Sequence, residues 1–185
     1  ANPFGYVSPT SAAHVNEQLG DKIKYVLDGG ICSVGIESTI LGFDGDEVVV
    51  YRLGGCKVEE IESLIGKVTA KVNLSSNPEA PGMLESHYSP LTPIVIGNIN
   101  ELVKKHKHQN IGLISFKDEI NGIDPNHQFI LSKKGAIDEA ATRLFTGLRE
   151  LDALNLQLIV SEYVPDVGLG RAINDRLKRA EAKRN

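Results

Sequence analysis

The chain has 185 residues, of which 41% are hydrophobic and 24% charged, and its formal net charge is −4. That length suits one domain or two small ones, and the composition is the one expected of a soluble globular protein. No run approaches the roughly 18 apolar residues of a membrane helix and no secretory signal pattern opens the chain, so the expected location is cytoplasmic, with no membrane partner.

The first residues, ANPFGYVSPTSAAHV, enter at once into turn chemistry (Asn2-Pro3, Gly5, Pro9) without an initiator Met, and further sequence is expected upstream. SPTSAAHVNEQLGDKI places Ser8 or Thr10 at an N-cap, Pro9 in the first turn and Ala13, Val15 and Leu19 at helical spacing. It predicts a short helix ending near Gly20. ICSVGIESTILGF and EVVVYRLGG are β-branched runs around the acidic turn DGDE, which predicts a hairpin. KVEEIESLIGKV then sets Val58, Ile61, Leu64 and Ile65 on one helical face, with Gly66 as the stop.

After the turn-rich stretch from Asn73 to Met83, strand and helix alternate. The strands are PIVIG, NIGLISF, HQFILS and LQLIVSEYV; the helices are INELVKKHKH, GAIDEAATRLFTGLRELDAL and GLGRAINDRLKRAEAKR. Alternation of this kind implies βαβ crossovers and a parallel sheet. The expected organisation is an α+β part over residues 1–72, a Pro/Gly linker over 73–92 and a small, doubly wound parallel α/β domain over 93–185.

Few residues point to chemistry on spacing alone. In GIESTI, Ser38 and Thr39 are either plain strand residues or hydroxyls facing a cleft, and Glu37 either pairs a cation or caps a turn. Arg52, beside Gly54-Gly55, is either a solvated arginine or a guanidinium placed to grip a phosphate or carboxylate with two bonds. GLGRAIND has a G-x-G but lacks the third glycine and sits at the end of the α/β unit, so a turn feeding a helix is preferred to a dinucleotide loop. Ser33, Ser38 and the five histidines form no nucleophile elbow or Cys-His arrangement. His106 and His108 sit on a Lys-rich helix end, a solvated face complementing the helix dipole rather than a metal pair. The two cysteines, Cys32 and Cys56, are too isolated for a disulfide framework or a zinc site. No metal ligand and no covalent catalytic residue is assigned.

Five stretches in order, ANPFGYVSPTSAAHV, DGGICSVGIESTI, VVVYRLGG, APGMLESHYSPLTP and GLGRAINDRLKRA, resemble the long, two-domain threonylcarbamoyl-AMP synthases, with a YrdC-type catalytic domain and a C-terminal Rossmann-like domain. The resemblance spans nearly the whole chain. Such enzymes begin the first motif Ser-Ala-Asn, and carry upstream of it a threonine pocket and Lys/Arg residues for the ATP phosphates; these are not among the 185 residues. Residues 1–79 hold six basic and eleven acidic side chains, so the cations for a triphosphate are expected on that upstream stretch.

The resemblance implies that L-threonine, bicarbonate and ATP, with Mg²⁺, give threonylcarbamoyl-AMP and pyrophosphate, and that the product passes to the machinery that modifies tRNA. It implies that Asn2, Ser8, Arg52, His87 and Tyr88 contact ATP and that Ser38 contacts threonine. Residues 1–185 alone are expected to be inactive. In the linker, Gly82 would be the hinge and the prolines the stiffeners of a lid that brings His87 and Tyr88 over the nucleotide. A non-catalytic module that binds a nucleotide or a partner is the alternative. Direct tRNA binding is not expected, because there is no basic stripe and only 5% of residues are aromatic.

Overall fold

The computed structural model describes residues 2–71 and 87–182. Helix α1 (Ala12–Leu19) is capped by Ser11, whose side chain accepts from the His14 amide at 3.3 Å. The cap therefore lies one residue beyond the predicted Thr10 and three beyond the predicted Ser8. Strands β1 (Ile40–Asp44) and β2 (Glu47–Arg52) form the expected antiparallel hairpin, turning at Gly45 with φ +60°. After α2 (Val58–Ile65), the short β3 (Thr69–Ala70) pairs parallel with β2, giving the sheet order β1-β2-β3.

The predicted first strand is only half realised. Residues 31–39 are irregular, and the strand starts at Ile40. Loop and side-chain partners take the backbone groups that a ladder would otherwise use: the Gly55 amide donates to the Glu37 carbonyl at 2.8 Å, and Arg52 Nε to the Ser38 carbonyl at 3.0 Å.

The second half is a parallel α/β unit: β4 (Ile94–Ile96), α3 (Ile99–Lys105), β5 (Ile111–Ser115), a 3-10 turn (Pro125–His127) leading into β6 (Gln128–Ile130), α4 (Ile137–Asp152), β7 (Leu158–Ser161) and α5 (Gly170–Glu181). All pairings are parallel, in the order β4-β7-β5-β6. Period-two alternation sends Leu113 and Val160 to the face covered by α3, with Ile99 and Ile111, while Ile114 and Ile159 face α4 and α5. The α4–α5 side holds the larger core, built on Leu144, Phe145, Leu148, Ile173 and Leu177. Burying each such side chain contributes about 1.5–3 kcal/mol. The fold is the parallel α/β architecture that the strand–helix alternation predicts and the Rossmann-like domain that the resemblance implies.

This larger core does not stop at the second half. Val7 and Tyr88 are buried in it, and Tyr6 and Ile36 pack on its edge. Loops of the first half thus lie directly on α4 and α5. Among the described residues, no helix is long and apolar enough to cross a membrane.

Candidate functional site

The predicted site residues fall along the junction between the first-half loops and helices α4 and α5. The opening turn is held locally: Asn2 Nδ2 donates to the Tyr6 carbonyl at 2.9 Å and the Tyr6 amide to the Pro3 carbonyl at 3.1 Å. Asn2 thereby braces the turn that leads to Ser8. Ser8 Oγ donates to Glu37 Oε1 at 2.6 Å, and Arg176 Nε of α5 donates to Glu37 Oε2 at 3.1 Å. Glu37 therefore pairs a cation, the first of the two roles its sequence context left open, and its two oxygens join two segments.

Ser38 and Arg52 form a second pair. Arg52 donates through Nε to the Ser38 carbonyl and through Nη2 to Ser38 Oγ at 3.2 Å. Next to it, Thr39 Oγ1 donates to the Cys56 carbonyl at 2.8 Å. Gly54 is required here: a Cβ at that position would lie 2.3 Å from the Glu37 carbonyl oxygen. The Gly-Gly turn of VVVYRLGG thus lets two backbones approach, and that approach places Ser38 beside Arg52.

His87 and Tyr88 arrive from the linker side. Their rings meet edge to face at 4.1 Å, Phe4 closes on His87 at 5.9 Å, and the Arg176 guanidinium lies 4.9 Å from the Tyr88 ring centre. The Tyr88 ring is 2% exposed and packs against Phe145 at 5.5 Å, so in this conformation it is a core wedge. The segment after it is tied down: the Ser89 amide donates to the Gly5 carbonyl at 3.0 Å and the Thr92 amide to Asp152 Oδ1 at 2.7 Å. The hinge assigned to Gly82 and the stiffener at Pro81 lie outside the described residues.

Burial pushes the His87 imidazole below its ordinary pKa; the Glu37 carboxylate opposes this, while Arg176, Arg179 and Arg52 add to it. At neutral pH the ring is uncharged. Its Nδ1 is buried and has no hydrogen-bond partner among the described residues. Burial also pushes the Tyr88 phenol up, against the pull of Arg176. Arg176 itself is fully buried; burial works against its charge, but Glu37, Tyr88 and Asp175 more than offset this and hold it protonated.

Sequence reasoning missed the two arginines that organise this junction. Arg176 is in GLGRAINDRLKRA, where the helical period sets it on the core face with Ile173, Leu177 and Ala180. Arg149 of α4 donates to the carbonyls of Val7 and Ser8, the latter at 3.1 Å, and to Gln18 Oε1 at 2.9 Å. An arginine on the apolar stripe of a helix was the available signal. The G-x-G of the same motif serves packing: a Cβ on Gly170 would lie 1.9 Å from the Pro165 carbonyl, and the Gly168 amide is 3.3 Å from the Glu59 carboxylate. His106 caps α3, with its Nδ1 3.1 Å from Gln109 Oε1. Among the described residues, no three His, Cys, Asp or Glu side chains are grouped to hold a metal.

Fold and junction define an α/β protein in which a small hairpin sheet with irregular loops, carrying hydroxyls and a guanidinium, rests on a Rossmann-like domain. The chain belongs to the threonylcarbamoyl-AMP synthase family: the model of that enzyme's C-terminal domain matches residues 56–182, and the Sua5/YciO/YrdC model, described as telomere recombination, matches residues 1–54. The threonylcarbamoyl-AMP synthase of Bacillus subtilis is 31% identical over 194 residues, covering 100% of this chain and 56% of the relative. That of Schizosaccharomyces pombe is 32% identical, covering 97% of this chain and 50% of the relative. The crystal structure of Pyrococcus abyssi Sua5 complexed with L-threonine superposes with a TM-score of 0.87 at 33% identity, over 97% of this chain and 56% of that one. A P. abyssi Sua5 variant with adjacent His and Tyr replaced by Ala gives 0.84 at 32% identity, over 97% of this chain and 55% of that one. The chain spans about half the length of the curated relatives it matches.

Proposed function

We propose that this chain takes part in a nucleotidyl transfer that joins L-threonine, bicarbonate and ATP into threonylcarbamoyl-AMP with release of pyrophosphate. The observation that carries the reading is the Ser38–Arg52 pair, a hydroxyl on the irregular loop 31–39 and a guanidinium at the end of β2, with Ser8 bonded to the neighbouring Glu37. A relative's structure contains L-threonine, which supports threonine as the amino acid. The threonine amine condenses with bicarbonate to a carbamate, a C–O bond of bicarbonate breaking as water leaves, and the carbamate oxygen then attacks the α-phosphate while pyrophosphate leaves. Ser38 holds threonine; a site that hydrogen-bonds a substrate hydroxyl rejects analogues lacking it. Arg52 serves the nucleotide through charge compensation, and Ser8, Asn2, His87 and Tyr88 through alignment, which phosphoryl transfer needs more than a covalent nucleophile.

The donor set at the junction, hydroxyls and guanidinium groups, suits phosphate oxygens rather than a divalent cation. Mg²⁺ would accordingly enter with ATP, held by phosphates and water. In this reading residues 1–72 belong to the catalytic domain, 73–92 to the linker and 93–185 to the C-terminal domain, and the product is handed to the tRNA-modifying machinery. The test is pyrophosphate release by the full-length protein from ATP, bicarbonate and Mg²⁺, with and without L-threonine. A threonine-dependent rate is expected. Equal release in both arms, with ATP still bound in calorimetry, would instead support the nucleotide-binding module.

A further inference from the structure

We infer that the C-terminal domain sets the geometry of the substrate site through two buried positioning residues, Arg149 and Arg176. The inference rests on the proposed function and adds how the site is held. Arg176 is 0% exposed and Arg149 6%. From α5, one guanidinium reaches the residue before Ser38 and the residue after Arg52: Nε donates to Glu37 at 3.1 Å and Nη2 to the Leu53 carbonyl at 2.8 Å. The separation between Ser38 and Arg52 is therefore spanned by a rigid planar fork.

The remaining nitrogen of the fork, Nη1, donates to Asp175 at 2.7 Å, and Arg179 Nε donates to the same carboxylate at 3.1 and 3.0 Å. The fork is thus fixed to its own helix as well as to the loops. From α4, Arg149 holds the Val7 and Ser8 carbonyls and stacks 5.1 Å over the Tyr6 ring, while the Tyr6 hydroxyl donates to Asp152 at 2.7 Å. Ser8 Oγ then meets the Glu37 oxygen that Arg176 leaves open. Ser8, Ser38 and Arg52 lie far apart in sequence, and each is located by a guanidinium from the other half of the chain. Neither arginine needs to touch a substrate for this. A shift of the order of 1 Å in such a frame can cost about 100-fold in rate.

The experiment compares Arg176→Lys and Arg149→Lys with Leu113→Ala in the full-length protein. Lysine keeps the charge but, as a single point donor, cannot span two acceptors. Leu113→Ala opens a cavity on the α3 face, away from the junction, and serves as a control for lost stability. Melting temperature, L-threonine affinity by calorimetry, and kcat and KM for pyrophosphate release are measured. Arg176→Lys is expected to raise the threonine KM, and Arg149→Lys, through Ser8, the ATP KM, each about tenfold, some 1.4 kcal/mol, while Leu113→Ala lowers the melting temperature and leaves both KM values unchanged. Unchanged KM and affinity in the lysine variants overturn the inference, and so does an equal KM shift in Leu113→Ala. If Arg176→Lys does not fold, Glu37→Gln, at the loop end of the same pair, reads the same coupling. Absence of threonine binding in the wild type removes the proposed function and this inference together; normal wild-type binding with unaffected variants removes the inference alone.

Discussion

Tyr88 combines two features that seldom occur together: φ is +59° in a non-glycine residue, and the side chain is almost fully buried. The left-handed backbone costs on the order of 1 kcal/mol, which the packing against Phe145 and Arg176 must exceed. Tyr88→Ala keeps that strain and removes the ring, so a loss of about 3–4 kcal/mol is expected in denaturant unfolding. A loss below about 1 kcal/mol would show that the ring is not a structural wedge. Its neighbour His87 adds a pH dependence. Its folded-state pKa lies below the ordinary value of about 6.5, so as pH falls through that value the unfolded chain gains a proton before the native one. The stability that His87 contributes is therefore complete above pH about 6.5 and declines as pH falls below it. His14 shifts the same way, through burial and then Arg149. The melting temperature should fall between pH about 7.5 and 5.5, and His14→Gln with His87→Gln should flatten that slope. Glu59, whose pKa is depressed, acts only below this window. An identical slope in the double variant would reject the assignment.

Among the elements, the irregular loop 31–39 matters most. A Cβ on Gly54 would lie 2.3–2.4 Å from backbone atoms of Glu37, Ser38 and Thr39, none of which can swing away. Gly54→Ala is therefore expected to cost about 1–3 kcal/mol and to displace Ser38 from Arg52, weakening threonine binding; both effects are measurable by chemical denaturation and calorimetry. Unaltered stability and affinity would mean that the close approach is dispensable. This loop is also where sequence reading was weakest. ICSVGIESTILGF is rich in β-branched residues, but the partners of its backbone are a glycine amide and an arginine side chain, which no local pattern announces. The parallel unit was legible because apolar periods of 2 and 3.6 alternate cleanly there. Helix α5 was legible as a helix while its most consequential residue was not. The helical period sets Arg176 on the apolar stripe with Ile173 and Leu177, but what its guanidinium grips is not legible until the strands and loops around it are known. The residues of Ser8 and GIESTI were readable as candidates, and what brings them together was not, since their contacts cross from 29 to 139 positions of sequence.

At the scale of the whole molecule, the division by sequence differs from the division by packing. Phe4, Tyr25, Leu27, Ile31, Phe43 and Leu64 are each more than 70% exposed, whereas the α4–α5 core has its largest side chains essentially dry. The hairpin sheet and α2 bury only Val49, Val50, Val58 and Ile61, outside the α4–α5 core, so the local opening of the sheet should require less free energy than that of the parallel unit. The junction segments are an exception. The Ser89 amide bonds to the Gly5 carbonyl, the Gly55 amide to the Glu37 carbonyl and the Tyr6 amide to the Pro3 carbonyl, all beside the core that Val7, Ile36 and Tyr88 complete. Native-state hydrogen exchange should therefore place Tyr6, Gly55 and Ser89 with the amides of β5, β7 and α4, and leave the β1–β2 hairpin in a faster class. Arg149→Lys should move Tyr6 toward the fast class, because the Val7 and Ser8 carbonyls lose their shared fork. Were Tyr6, Gly55 and Ser89 to exchange as fast as the hairpin in the wild type, the first-half loops would be tethered to the C-terminal core without sharing its cooperativity, and the site would be held by the hairpin sheet instead.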